Sequence, residues 1–274
     1  MSTATVNGVR LFYELTGDGP PLVFVHGSWG DHTIWNLVVP ALAERFRVLV
    51  YDRRGHGQSE RPPGQGSAEE DAADLAALIA HLGLVPAHVV GTSYGASLAL
   101  RLAIRHPDLA RSLAVHEPPL LDLPLDDPAD ARAAKEVKER SAAVAARLAA
   151  GDMEGGARDF FDTVAFAPGT WDTLPPEWQR VFVAHAPTFL DETRDPERRA
   201  LDLGGLAAFR GPVLLTYGEQ SPSFYAPIVF RVAAALPQAE TRVIADASHA
   251  PYRTNPDEYV TIIASFFAAD PRAI

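Results

Sequence analysis

The 274-residue chain contains no cysteine, so it can form no disulfide and offer no thiolate to a metal. Positive charge is also the scarcer sign: 24 Lys and Arg stand against 35 Asp and Glu, a formal charge of −11, and no basic run interrupts that balance. Nucleic acid and anionic membrane surfaces, which call for a basic patch, are therefore not expected partners. No apolar run approaches the roughly 18 residues needed to span a bilayer. The opening residues Met1-Ser2-Thr3-Ala4 lack a basic region followed by an apolar one, and the cytoplasm is the expected location. Metal and cofactor signatures are missing too. There is no H-E-x-x-H and no clustered ligand spacing, and Gly55-His56-Gly57 lacks the third glycine and the following acidic residue of a dinucleotide fingerprint. No metal and no cofactor are expected, and the expected partner is a small molecule. A homodimer is compatible with this composition.

A hydrophobic share of 47% and a charged share of 22% are those of an ordinary globular protein, long enough for one large domain with an insertion. Thr3 to Val6 and Val9 to Leu15 alternate about Asn7-Gly8, a pair that favours a tight hairpin. Leu22 to Val25 is an unbroken apolar strand of the kind covered on both faces. A helix is expected from Trp35 to Arg45, a strand from Arg47 to Tyr51 and an amphipathic helix from Ala68 to Leu82. A strand at Ala87 to Val90, a helix at Ala96 to His106 and a strand at Arg111 to Val115 follow. This alternation predicts an α/β fold with a mostly parallel sheet. It stops between residues 120 and 206, where helices are expected at Ala129 to Ala150, Glu154 to Phe166, Pro176 to Phe189 and Pro196 to Ala200. It then resumes with strands at Pro212 to Tyr217 and Thr241 to Ile244 and helices at Ser223 to Leu236 and Pro256 to Phe267. The expected organisation is a core of residues 1–119 and 207–274 interrupted by a helical cap, 120–206.

Val90-Gly91-Thr92-Ser93-Tyr94-Gly95-Ala96 carries the chemistry. It has the form G-x-S-x-G at a strand-to-helix break, where side chains at 91 and 95 would collide with neighbouring elements and Ser93 would project its hydroxyl. The Tyr94 N–H at the first helical turn is half of an oxyanion hole. A serine needs a base, and His249, in a small-residue loop after the last strand, is the candidate. Of the other histidines, His81, His88 and His106 are expected at the surface, and His26 and His56 to organise loops.

These motifs, together with His26-Gly27 after the third strand and Asp52-Arg53-Arg54-Gly55-His56-Gly57-Gln58-Ser59, resemble the α/β-hydrolase superfamily over nearly the whole chain. The resemblance implies an α/β-hydrolase fold, Ser93 as nucleophile, His249 as base, and the N–H groups of Ser28 and Tyr94 as the oxyanion hole. Family members that are dehalogenases or epoxide hydrolases place an aspartate at the elbow, which Ser93 argues against. One departure concerns the acid: the usual G-E-x-D-P reads Gly218-Glu219-Gln220-Ser221-Pro222, with serine where the aspartate belongs. In zearalenone-type lactonases, to which His116-Glu117-Pro118-Pro119 is similar, the acid is a glutamate after the strand preceding the cap. Glu117 is therefore the first candidate and Glu219 the second.

Phe160, Phe161, Phe166, Trp171, Trp178, Phe182 and Phe189 place seven aromatic rings within thirty residues of the cap, against two to three for an even spread of the chain's 24. Some must form the cap's core. Trp29, Trp171, Trp178 and Phe182 are the expected walls of an apolar substrate pocket. The expected function is hydrolysis of a hydrophobic carboxylic ester or lactone through an acyl-enzyme. Hydrolysis of a C–C bond in a diketone-like substrate and slow-turnover, receptor-like binding are the alternatives.

Overall fold

The computed structural model describes residues 2–63 and 66–269. β1 (Ser2–Val6) and β2 (Val9–Thr16) pair antiparallel through Asn7 and Gly8, whose φ values of 49° and 77° give the left-handed turn that matches strand twist. β3 (Pro21–Val25), β4 (Arg47–Tyr51), β5 (Ala87–Thr92), β6 (Ala110–His116), β7 (Val213–Gly218) and β8 (Ala239–Ile244) complete a sheet of order β1-β2-β4-β3-β5-β6-β7-β8. β2 meets β4 antiparallel, and the pairings from β4 to β8 are parallel. Period-two alternation divides the core between the two faces. Leu22 and Phe24 of β3 pack with Trp35, Val48 and Phe267, whereas Val23 and Val25 pack on the other face with Leu49, Leu75 and Leu98.

Helices α1 (Val39–Ala43), α2 (Ala68–His81) and α3 (Tyr94–Arg105) lie in the first half of the chain. Between β6 and β7 the regular structure of the described residues is helical: α4 (Pro128–Ala149), α5 (Met153–Phe160), α6 (Thr170–Thr173), α7 (Pro176–Arg194) and α8 (Leu203–Leu206). α9 (Tyr225–Ala233), α10 (Pro251–Thr254) and α11 (Pro256–Ala268) follow β7 and β8. The outer ends of the expected core, residue 1 and residues 270–274, lie outside the described residues.

Three expected helices differ. The segment 35–45 is a 3-10 turn, His32–Trp35, and then only the five residues of α1, because Pro40 restricts the residue before it and withholds a donor. The segment 154–166 passes from α5 into a π-helical turn at Phe161–Ala165, which widens the helix beside Ser93's cavity. Pro196 to Ala200 forms hydrogen-bonded turns, while α7 runs on through Pro187 to Arg194. His88, expected at the surface, is buried inside β5 with its Nδ1 2.6 Å from Ser112 Oγ.

The helical insertion is tied to the sheet by buried polar groups. The Arg53 guanidinium donates to Asp71 of α2 at 2.7 Å and to Glu192 of α7 at 2.8 Å, with the Arg53 side chain 1% exposed. His185 of α7 accepts from the Gly57 amide through Nε2, so Nδ1 carries the proton and donates to the Trp29 carbonyl at 2.9 Å. Asp195 accepts from the Ala68 amide at the start of α2. Burial, then the Arg53 charge, holds His26 and His56 well below the usual imidazole range, and burial lowers His116 to about 4. Burial pushes the Asp71 carboxyl up to about 7 against the pull of Arg53.

A pH dependence of stability follows. Three imidazoles are neutral in the folded state and protonate in the unfolded one below about pH 6.5, whereas one carboxyl gains its proton early in the folded state. Between about pH 6.5 and 4 the unfolded chain thus binds more protons, and stability falls as the pH is lowered, by about 1.4 kcal/mol per pH unit for each net proton. Urea unfolding at pH 7.5, 6 and 5 checks this; a free energy that holds steady or rises toward pH 5 contradicts it.

Candidate active site

β5 ends at Thr92 and α3 begins at Tyr94, which leaves Ser93 alone at the break with φ 54° and ψ −125°. That conformation costs a non-glycine residue about 1–3 kcal/mol and is kept only where its surroundings impose it. They do so by close approach: a Cβ at position 91 would collide with the Gly95 carbonyl, and one at 95 with the Val25 carbonyl. The Ser93 amide donates to the His116 carbonyl at 2.8 Å, extending the β5–β6 pairing through the serine itself. Gly27 lies against it, since a Cβ there would stand 3.1 Å from Ser93 Cβ.

The loop after β3 is oriented from below. His26 Nε2 accepts from the Arg53 amide, so its Nδ1 donates to the Gly27 carbonyl at 2.8 Å, and Arg53 Nη2 donates to the same carbonyl at 3.2 Å. In a trans peptide the N–H points opposite to the C=O. The Ser28 N–H is thereby turned away from Arg53. The Tyr94 N–H, in the first turn of α3, has no acceptor within its own helix. Arg53 also lies 4.7 Å above the Tyr94 ring, so the phenol side chain packs against the guanidinium that holds the Gly27 carbonyl.

His249 is delivered by the loop after β8, which crosses over the end of β7. Gly218 permits the crossing, because a Cβ there would stand 2.5 Å from the Ala247 carbonyl. Beyond it, His249 Nδ1 donates to Glu117 Oε2 at 2.6 Å, which leaves Nε2 as the unprotonated nitrogen. Glu117 is fully buried, has φ 49°, and also accepts from the Gly218 amide at 2.7 Å. Burial alone would raise this carboxyl; the neighbouring His116 and His249 imidazoles reverse the sign and hold it at about 2. Since His116 is itself neutral near pH 7, the bonds from His249 and Gly218 keep Glu117 anionic there. Glu219 points elsewhere: it is exposed and accepts from the Asp246 amide. Ser221 stands close to Glu117 without a well-formed hydrogen bond to it, so the position of the missing aspartate adjoins the carboxylate that is present.

Tyr225 stacks on His249, the rings 4.6 Å apart and 12° from parallel, with its hydroxyl 3.2 Å from Nε2. A hydroxyl approaching from the face leaves the in-plane lone pair of Nε2 open. Among the described residues no hydrogen bond joins Ser93 Oγ to His249, although both line the same cavity of about 460 Å³. Trp29, Phe160, Phe166, Trp178 and Phe182 wall it. Trp171 does not: it is fully buried, 5.6 Å from Phe161, and belongs to the packing of the inserted helices, which corrects its expected place in the pocket. Two groups bring three donor atoms within 4.8 Å, His116-Glu117-His249 and Asp31-His32-Asp52. In the second, the donors are already spent on protein hydrogen bonds. In the first, Glu117 and His249 bond each other and His116 Nδ1 bonds Thr216, while His116 Nε2 stands 3.5 Å from Glu117 Oε2 without a hydrogen bond.

The sequence did not point to the roles of Arg53, Gly218 or Tyr225. Arg53 lies within the Asp52 to Ser59 run that carries part of the family resemblance, but nothing local reveals which carbonyl it will hold.

Compared with known proteins, residues 20–256 match the family model described as alpha/beta hydrolase fold. The chain is 39% identical over 115 residues to the soluble epoxide hydrolase of Corynebacterium sp. (strain C12), a stretch that is 41% of this chain and spans only 39% of that protein. Over 97% of this chain and 87% of its counterpart it is 29% identical to the sn-1-specific diacylglycerol lipase ABHD11 of Mus musculus. It superposes on a thermophilic esterase from Thermogutta terrifontis with a TM-score of 0.79 and 26% identity, covering 97% of this chain and 96% of that one.

The Gly218 crossing gives a test of this geometry. A short Nδ1–H···O bond places its proton far downfield in the NMR spectrum, and Gly218→Ala should abolish that signal while leaving the protein folded by circular dichroism. Retention of the signal would show that the loop does not depend on the missing Cβ.

Proposed function

The chain belongs to the alpha/beta hydrolase fold family, and from that premise we propose that it is a serine hydrolase of a carboxylic ester or lactone that works through an acyl-enzyme. The observation that carries this is the 2.6 Å bond from His249 to buried Glu117, with His249 and Ser93 lining one cavity. A carboxylate on Nδ1 fixes the tautomer in which Nε2 is basic and stabilises the imidazolium once it forms. Ser93 gives its proton to His249 and its oxygen attacks the carbonyl. The Ser28 and Tyr94 amides receive the oxyanion. Collapse breaks the C–O bond, and His249 protonates the leaving alcohol. Water, deprotonated by His249, then frees the acid and restores Ser93. One water is consumed per bond cleaved.

The hydroxyl nucleophile suits acyl transfer. The aromatic walls of the larger cavity suit an apolar moiety, and the inserted helices above it would exclude water during the reaction. The resemblances to an esterase and a diacylglycerol lipase support ester cleavage over the C–C and receptor-like alternatives, which no separate feature of the site favours.

Treatment with a serine-directed phosphonate, followed by peptide mass spectrometry, should find the adduct on Ser93, and Ser93→Ala should abolish it. With both variants folded, Glu117→Gln should lose on the order of 10⁴-fold in kcat toward a 4-nitrophenyl ester while Glu219→Gln stays near wild type. The reverse ranking would move the acid to β7.

A further inference from the structure

Ser93 opens onto a second, smaller chamber of about 40 Å³, which shares Ser28, Ser93 and Phe160 with the larger cavity but does not reach His249. Its walls include two arginines, Arg198 and Arg199, and no carboxylate lines it. Arg198 is 7% exposed, and among the described residues its guanidinium makes no direct ion pair and no hydrogen bond; it lies 5.4 Å from the Phe189 ring, and Glu192, which is bonded to Arg53, and Asp195 attract it only from beyond contact distance. Burial, then the like charge of Arg199, lowers Arg198 to about 10, so it remains a cation near neutral pH. A buried cation beside a second cation is unfavourable unless something anionic arrives to pair with it. The turn that carries the two is held rigidly. Arg101 of α3, the helix that begins next to Ser93, donates to the Glu197 and Ala200 carbonyls on either side of the pair.

We propose that Arg198 is the recognition site for a carboxylate on the substrate's acyl chain, so that the ester cleaved at Ser93 is the monoester of a short dicarboxylic acid with an apolar alcohol. The assignment rests on the hydrolytic reading above. The leaving oxygen must be protonated by His249, which lines the larger, aromatic cavity, so the alcohol occupies that side. The acyl chain is left with the smaller chamber. A guanidinium matches a carboxylate through two parallel N–H···O bonds, and a chamber of about 40 Å³ is more than the roughly 10–15 Å³ that one water requires and admits a group of that size. Half-buried Arg199 supplies additional positive potential at the same wall.

The test compares mono-4-nitrophenyl glutarate with 4-nitrophenyl pentanoate, which differ only in a terminal carboxylate against a methyl group. Wild type should favour the glutarate in kcat/KM, mainly through KM. In Arg198→Gln and Arg198→Met the glutarate-to-pentanoate ratio should fall on the order of 10²-fold, with partial recovery in Arg198→Lys. A wild-type preference for pentanoate, or a ratio unchanged in Arg198→Gln, overturns the proposal. A readout that requires neither turnover nor a variant is protection of the wild type: free glutarate, and not the neutral glutaric diamide, should slow phosphonate labelling of Ser93. Equal protection by both overturns it. If wild type cleaves neither ester and Ser93 takes no label, the hydrolytic reading fails by itself. Calorimetry of glutarate with wild type and Arg198→Gln then decides the carboxylate site: binding lost in the variant supports it, and binding that is equal or absent in wild type refutes it.

Discussion

One buried guanidinium holds together the parts that make the site. Arg53 reaches α2 through Asp71, the inserted helices through Glu192, the loop after β3 through the Gly27 carbonyl, and α3 through the face of Tyr94. Each contact belongs to a different segment, and a cation that cannot be left unpaired in an apolar interior draws the segments together. Removing one partner from such a cluster typically costs about 3–5 kcal/mol, a large share of the whole stability of a domain. The same group that anchors the insertion also turns the Ser28 amide toward its proposed task. Stability and site geometry therefore share one determinant.

A second constraint is steric. Ser93 and Glu117 stand at the ends of adjacent parallel strands, and both have positive φ, at 54° and 49°. Strain of this kind survives only when the surroundings over-determine it. The register does so on one side, through the Ser93 amide on the His116 carbonyl and the Glu117 amide on the Thr216 carbonyl. Glycine does so on the other, at 91, 95 and 218, where backbones approach more closely than any side chain allows.

These features were unequally legible. The hairpin at Asn7-Gly8, the strand-to-helix break at Ser93 and the loop with His249 depend on neighbours in sequence, and local steric rules expose them. The choice between Glu117 and Glu219 needed the path of a loop from β8 across β7, a long-range fact to which Gly218 contributes only silently. The helix expected over 35–45 is shorter because Pro40 can stand only in the first turn, so the α-helix starts at Val39. Trp171 was misplaced because composition says that a segment has aromatic rings to spare, without saying which of them its own packing consumes. Arg198 could not be read at all: in sequence it is one of several charges in a polar run, and only the fold shows that it is buried at the wall of a chamber with no carboxylate in contact.

The environment of His249 shows how the site remains poised without its proposed nucleophile bonded to its base. Tyr225 covers one face of the imidazole, Phe166 meets it edge-on at 5.7 Å, and the His116 ring lies 6.2 Å away. Glu117 fixes the Nδ1 edge. These contacts hold the ring with its Nδ1 edge on Glu117, and His249 lines the cavity that Ser93 also lines. Catalytic hydrogen bonds are often long before substrate is present and tighten as it binds. In this protein the tightening needs no rearrangement of the carboxylate, whose bonds to His249 and to the Gly218 amide are already made.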